Sequence, residues 1–346
     1  DRVAVMMPNT PQYAVAVAAI LRAGLVVVNV NPLYTATELQ HQLKDSGATT
    51  IVILENFAAT LQEVIEHSAI QHVVMASIGD LLGPWYGRWM TFAVRHLAKM
   101  VPEYELPLEG GRTVTPFKKA IAQGKHLNLK ATPQTLDDIA FLQYTGGTTG
   151  LSKGAVLTHR NIVAAILQAE TWFAPALSRL PDLRKVNSIA ALPLYHIFAL
   201  TLCLLAMRQG SHLTLVPNPR DFGKFIQVLK QRPFHLLPGV NTLFNALVND
   251  PEFARLDFSG LVVSNGEDFN VVVHDQEVVH IGPQKARILA ALNEVQQAWA
   301  AHLGQPWAHF VASGGIHGAE GGLALDPAFK VFVVAKAVNA SQPRIR

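Results

Sequence analysis

The chain has 346 residues, half of them hydrophobic and 15% charged, with a formal net charge of +3. That much apolar material builds a large core and excludes a disordered tail or a charge-driven scaffold. The small positive excess, without a dense Lys/Arg stripe, excludes nucleic acid as a partner. The one cysteine, Cys203, excludes an intramolecular disulfide framework and fits a reducing compartment; inside an apolar run it reads as a buried hydrophobe rather than a catalytic thiol.

In chain order, Val3-Ala4-Val5-Met6-Met7 reads as a buried strand, with no basic segment or cleavage site before it, so no secretory signal is expected. Pro8-Asn9-Thr10-Pro11 supplies the turn and cap for an apolar helix from Gln12 to Ala23, which Gly24 ends. Leu25 to Val28 is a second buried strand. Thr37 with Gln40 has the spacing of a capping box, opening a helix to Lys44 that stops near Ser46-Gly47. A third strand follows at Thr50 to Leu54, then a helix to about His67, then a strand at Val73-Val74-Met75. Strands that recur with helices between them predict an α/β fold, a parallel sheet covered on both faces.

Residues 79–137 are less regular. Trp85, Tyr86, Trp89 and Phe92 alternate with Arg88 and Arg95, a pattern that suits either a membrane interface or, as the plainer expectation, aromatic packing on the main domain. Further on, Ile189 to Met207 is apolar over the length of a membrane span, but Pro193, Tyr195 and His196 interrupt it. The expectation there is a strand ending near Leu192, a loop, and a buried helix.

The most informative string is Tyr144-Thr145-Gly146-Gly147-Thr148-Thr149-Gly150-Leu151-Ser152-Lys153-Gly154-Ala155. It lies between the strand-like runs Ile139 to Leu142 and Ala155 to Leu157. Glycines let the backbone curl and bring N–H groups to an anion, hydroxyls add donors, and Lys153 adds a positive charge. The Walker A arrangement is excluded, because no Gly-Lys-Ser/Thr closes the loop and no helix follows at once.

This string resembles the phosphate-binding signature of the adenylate-forming enzymes, and Thr158-His159-Arg160-Asn161 continues the likeness. Three more segments are similar to bacterial long-chain fatty-acid-CoA ligases: Asn31 to Thr35 with Glu38-Leu39, Leu192 to Leu200, and Gly239 to Leu247. The resemblance covers about residues 1–264. It implies a fragment of the large N-terminal α/β domain, of mostly parallel sheets covered by helices, with the C-terminal domain missing. Residues 265–346 are then a non-homologous tail, frameshifted or fused.

The activity implied by the resemblance has two steps. A fatty-acid carboxylate attacks the α-phosphorus of Mg-ATP to give an acyl-adenylate and pyrophosphate, and the CoA thiol then displaces AMP. Residues 144–155 would hold ATP, with Thr145 also contacting Mg²⁺ and Lys153 acting on the phosphates. His196 would stand near the acyl carboxylate, where an imidazole donates to a developing anion; read without the resemblance, it is a packed core histidine. Tyr195, Gly239, Val240, Leu243 and Phe244 would line the acyl site. The periodicity of Val240, Leu243, Phe244 and Leu247 supports ordinary core packing equally well.

Past Ser264, the family's adenine loop, its Tyr-Gly-Leu-Thr-Glu string, whose Glu holds Mg²⁺, and its adenylation lysine have no counterpart, so impaired turnover is expected. In the tail, Val271 to Val273 and Val278-Val279 read as a hairpin and Pro283 to Leu303 as a helix, with strands at Phe310 to Ala312 and Val331 to Val334. His302, His309 and His317 are spaced too unevenly for a metal pair on one helical face. The alternatives to a long-chain ligase are a non-catalytic acyl- or nucleotide-binding module and an adenylating ligase for an aryl acid. The expected location is cytoplasmic, with peripheral membrane contact left open.

Overall fold

Continuous runs of Val, Ile and Met are buried on both sides of a strand only if something covers each face of the sheet, and the chain supplies a helix between almost every pair of strands. The computed structural model describes residues 1–129, 132–145, 152–178, 180, 182, 185–265 and 270–272. It divides into two units, Asp1–Val163 with Pro193–Leu200, and Ala164–Leu192 with Thr201–Arg346.

The first unit is built on strands β1 (Arg2–Met6), β2 (Val26–Val30), β3 (Thr50–Leu54), β4 (His72–Ala76), β5 (Thr113–Pro116), β6 (Ile139–Thr145) and β7 (Lys153–Thr158). They form one sheet in the order β5-β4-β3-β1-β2-β6-β7, parallel except for the antiparallel pair β6 and β7. Its helices are α1 (Pro11–Arg22), α2 (Ala36–Ser46), α3 (Ala58–Gln62), α4 (Pro84–Phe92) and α5 (Phe117–Gly124). Alternate strand residues Ala4, Met6, Val28, Val30, Ile51 and Ile53 pack with Leu39, Leu43, Leu61 and Ile65 in one core. Val3, Val5 and Val27 point the other way and are also buried. Both faces are therefore covered, as the run composition predicts.

Three local expectations change. The capping box at the start of α2 is made by Thr35 and Glu38, not Thr37 and Gln40: Thr35 accepts from the Glu38 N–H, and the Glu38 carboxylate accepts from the Thr35 N–H at 2.9 Å. Both pairs have the right spacing, but an ionised carboxylate is the stronger acceptor for the free N–H. Those bonds hold the Glu38 carboxyl below its usual range. Past β3, one helix is replaced by a 3₁₀ turn (Glu55–Phe57), α3 and a second 3₁₀ turn (Ile65–His67). The segment is tied to a distant stretch: Glu55 pairs with Arg95, Asn56 donates to the Met100 carbonyl, and Gln62 accepts from the Glu105 N–H. Finally, Trp85, Tyr86, Trp89 and Phe92 are exposed rather than packed on the sheet, because the buried residue of α4 is Gly87.

The long α6 (His159–Leu177) and α7 (Ile197–Gln209) each carry the chain from one unit into the other. In the second unit β8 (Asn187–Ala190), β9 (His212–Leu215), β10 (Leu236–Pro238), β11 (Val263–Asn265) and β12 (Asn270–Val272) lie in the order β12-β11-β10-β8-β9. Only β11 and β12 are antiparallel among these described pairs. Helices α8 (Phe222–Gln231) and α9 (Asn241–Val248) close a core of Ile189, Phe225, Ile226, Leu229, Leu237, Phe244 and Leu247. The strand, loop and helix expected across Ile189 to Met207 are present as β8 and α7. β12 pairs with β11, whereas Val273, Val278 and Val279 of the expected hairpin lie outside the described residues, as do the later helix, strands and histidines.

Candidate functional site

The glycine- and hydroxyl-rich string is the connection of a β-hairpin. Its register sets Tyr144 opposite Gly154 and Thr145 opposite Lys153. Thr145 and Lys153 are both exposed, so a hydroxyl and an ammonium face each other where the two strands part. Gly146, Gly147, Thr148, Thr149, Gly150 and Leu151 lie outside the described residues. What is described is the base of the loop, and it is firmly built.

Tyr144 is buried, and its hydroxyl donates to Asp45 Oδ2 at 2.6 Å. Burial first, and the Asp45 carboxylate second, push its pKa up, so the phenol stays protonated. Its side chain therefore braces the hairpin against α2. A Cβ at Gly154 would stand 3.0 Å from the Tyr144 ring, which explains a glycine across from that tyrosine. At the far side of the loop, the Ser152 carbonyl accepts from the His41 imidazole at 3.1 Å. The side chain of Ser152 also bonds Tyr34, whose pKa is raised by burial and partly restored by that bond. Ala155 pairs with Gln143.

His196 belongs to the same unit as the hairpin and is exposed, which overturns the packed-histidine reading. It stands just before α7: its N–H donates to Pro193 O and its carbonyl accepts from Leu200 N–H, each at 3.0 Å. The Tyr195 ring lies 4.5 Å away, centroid to centroid.

Four buried polar side chains fix this segment. Gln143, on β6, stands opposite Asn29 on β2 and accepts from its Nδ2 at 3.0 Å. The Gln143 Nε2 donates to the Tyr195 carbonyl at 2.8 Å. The Tyr13 hydroxyl lies 2.8 Å from both Asn29 Oδ1 and the Leu194 carbonyl. Asn9 Oδ1 accepts the Leu194 N–H at 2.8 Å. All four side chains are buried. Two residues beyond Gln143 the strand enters the loop, so one polar brace positions the backbone at Tyr195 and the root of the hairpin together. The legible signal was a lone amide inside an apolar strand, Asn29 in Val-Val-Val-Asn-Val, because such a group is buried only with partners.

The remaining assigned residues lie in the second unit. Val240 precedes α9, and Leu243 and Phe244 are buried in that unit's core. Gly239 makes room for Phe244: a Cβ there would stand 2.8 Å from the ring. Cys203 is buried and burial pushes its thiol up to about 11, which fits the hydrophobe reading. No group of three or more His, Cys, Asp or Glu among the described residues is arranged to hold a metal ion.

A family model described as AMP-binding enzyme matches residues 1–291, running past residue 264 where the motif likeness stops. A long-chain-fatty-acid--CoA ligase of Salmonella typhimurium is 48% identical over 267 residues, 77% of this chain and 46% of the relative. The chain thus spans about half the length of the curated relatives it matches. Among solved structures, a long-chain-fatty-acid-CoA ligase from Archaeoglobus fulgidus superposes with a TM-score of 0.54 at 22% identity, over 87% of this chain and 49% of that one. An anthranilate CoA ligase in complex with anthranoyl-AMP gives 0.59 at 18% identity, over 77% and 45%. These likenesses identify the fold as that of the adenylate-forming N-terminal domain.

Proposed function

We propose, given that the chain belongs to the AMP-binding enzyme family, that it serves long-chain fatty-acid-CoA ligase chemistry, with the β6–β7 hairpin as its grip on ATP. The observation that carries the reading is the pairing of exposed Thr145 with exposed Lys153 at the mouth of a hairpin braced from below. The name shared by its relatives supports the long-chain acyl substrate and CoA.

Attack of a carboxylate on the α-phosphorus has a loose, highly charged transition state, and a protein helps by aligning the groups and stabilising that charge. Lys153, Thr145 and the hydroxyls and N–H groups of the loop would hold the β- and γ-phosphates. His196, exposed on a loop held by Gln143 and Asn9, would donate to the carboxylate or to the developing phosphate charge. The Gly239, Val240, Leu243 and Phe244 segment would border the acyl chain, whose burial contributes about 0.8 kcal/mol per methylene.

Magnesium would arrive with the phosphates and neutralise part of their charge. A hard cation that keeps its own waters and phosphate ligands needs few protein oxygens, and the Thr145 hydroxyl is a donor of that kind. The reading puts the chain in the cytoplasm, peripheral to the membrane where long fatty acids partition.

Calorimetric titration with Mg-ATP tests it. Lys153→Ala should weaken affinity about tenfold or more, the worth of one charge-assisted contact. An unchanged affinity, or no uptake by the unaltered chain, would remove the assignment. Release of AMP with palmitate, ATP and CoA, set against small aromatic acids, separates the acyl class.

A further inference from the structure

The segment 84–100 carries an exposed aromatic cluster that the proposed chemistry does not use. It reads Pro-Trp-Tyr-Gly-Arg-Trp-Met-Thr-Phe-Ala-Val-Arg-His-Leu-Ala-Lys-Met and contains cations at Arg88, Arg95 and Lys99 without any Asp or Glu. α4 continues directly into a π-helical turn (Ala93–Leu97), one helical run about 20 Å long at 1.5 Å per residue.

How the run is seated decides what it shows to the outside. Gly87 meets Gly79 so closely that a Cβ at position 87 would fall 2.1 Å from the Gly79 carbonyl oxygen. On the same inner side Arg95 reaches the buried Glu55. With Gly87 turned inward, Trp85, Trp89, Phe92 and His96 follow one another at helical spacing on the outside. Their exposures are 85% for Trp85, 54% for Trp89 and 50% for Phe92. Trp89 stacks on Phe92 at 6.0 Å, and Phe92 meets His96 at 4.9 Å, so the stripe is continuous. Leu97 and Met100 extend it and are also exposed, and Arg88 and Lys99 flank it in the open.

We infer that the segment 84–100, helical to Leu97, is a peripheral docking surface for an anionic lipid bilayer, lying in the plane of the interface with Trp85, Trp89 and Phe92 inserted and Arg88 and Lys99 on the headgroups. Indole rings prefer the headgroup boundary, and basic residues beside them are attracted to acidic lipids. A second copy of the chain fits worse: face against face, Arg88 and Lys99 of each copy would meet cations and find no carboxylate. No helix among the described residues is long and apolar enough to cross a membrane, so the contact is in-plane. The inference deepens the ligase reading and rests on it for its purpose, since a long acyl substrate resides in bilayers.

The test is co-flotation of the full chain, without nucleotide, with vesicles of phosphatidylcholine alone or with 30 mol% phosphatidylglycerol. Binding is expected to the anionic vesicles, to fall as salt rises, and to drop at least tenfold in the Trp85→Ser/Trp89→Ser/Phe92→Ser variant. Arg88→Gln/Lys99→Gln should remove the preference for phosphatidylglycerol while leaving weak binding. Trp85→Phe/Trp89→Phe should retain most binding, which separates insertion from misfolding. A chain that never floats, a serine variant that floats as well as the original, or equal binding to both lipid mixtures would overturn the proposal. So would concentration-dependent dimerisation, abolished by the serine substitutions, in a chain that ignores vesicles. Vesicle binding and Mg-ATP binding are read separately, so either proposal can fail alone.

Discussion

Gln143 ties two buried partners together, the Asn29 amide and the Tyr195 carbonyl. Replacing it with leucine keeps the volume but strands the Asn29 amide N–H and the Tyr195 carbonyl in a buried place. Gln143→Leu is expected to lower stability by about 2 kcal/mol, within the usual cost of leaving buried groups unpaired. A urea titration measures that loss. Amide hydrogen exchange at Tyr195 and His196 should quicken at the same time, whereas exchange in the second unit should not change. The residue types of the candidate site were readable: Thr145, Lys153 and the glycines suit the anion loop proposed for them by composition alone. The brace was not, because nothing in the linear order joins Asn9, Tyr13, Asn29 and Gln143 to a loop at 193–196.

At the scale of the element, β3 has the bounds its apolar run predicts, and β1, β2 and β4 differ from theirs by one or two residues. Runs of Val and Ile mark strands well because only a doubly covered sheet buries them. Helix ends were legible where the backbone itself demands a residue type. Gly47 closes α2 in the left-handed region at φ 59°, where a side chain is strained. A Cβ there would also meet the Arg2 guanidinium at 2.9 Å, a flexible group that moves aside. Gly47→Ala should therefore cost about 1 kcal/mol from the backbone alone, checked by the shift in urea midpoint. What local pattern did not reveal was the breaking of the helix after β3. The segment that replaces it is tied forty residues away in sequence, by the pairing of Glu55 with Arg95. With Gly87 seated on Gly79, the aromatic face is outward, against the plainer expectation.

At the scale of the molecule, the order of strands was beyond the sequence, since alternation of strand and helix gives a parallel sheet without saying which strands are neighbours. One contribution to the pH dependence of stability comes from a side chain in the second unit. His235 Nδ1 accepts the Asn187 N–H at 2.9 Å, and burial lowers its pKa from the ordinary 6.5. A histidine depressed in the folded state is neutral there while the unfolded chain takes up a proton. Its contribution is thus complete above pH 6.5 and is lost as the pH falls through the folded value. Thermal melts from pH 8 to pH 5 should show the original chain losing more stability on the acid side than His235→Gln. Equal slopes would contradict the assignment.

The seam between β2 and β6 has a further consequence for synthesis. β2 ends at Val30 and the strand that flanks it begins only at Ile139. A nascent chain can close β1 against β2 and β3 early, but one rim of β2 keeps unsatisfied amide and carbonyl groups until most of the unit has emerged. Such a bare rim is a template for mispairing with another copy. Any delay in making residues 31–138 therefore lengthens the time the young polypeptide depends on dilution or a chaperone to stay apart from its neighbours.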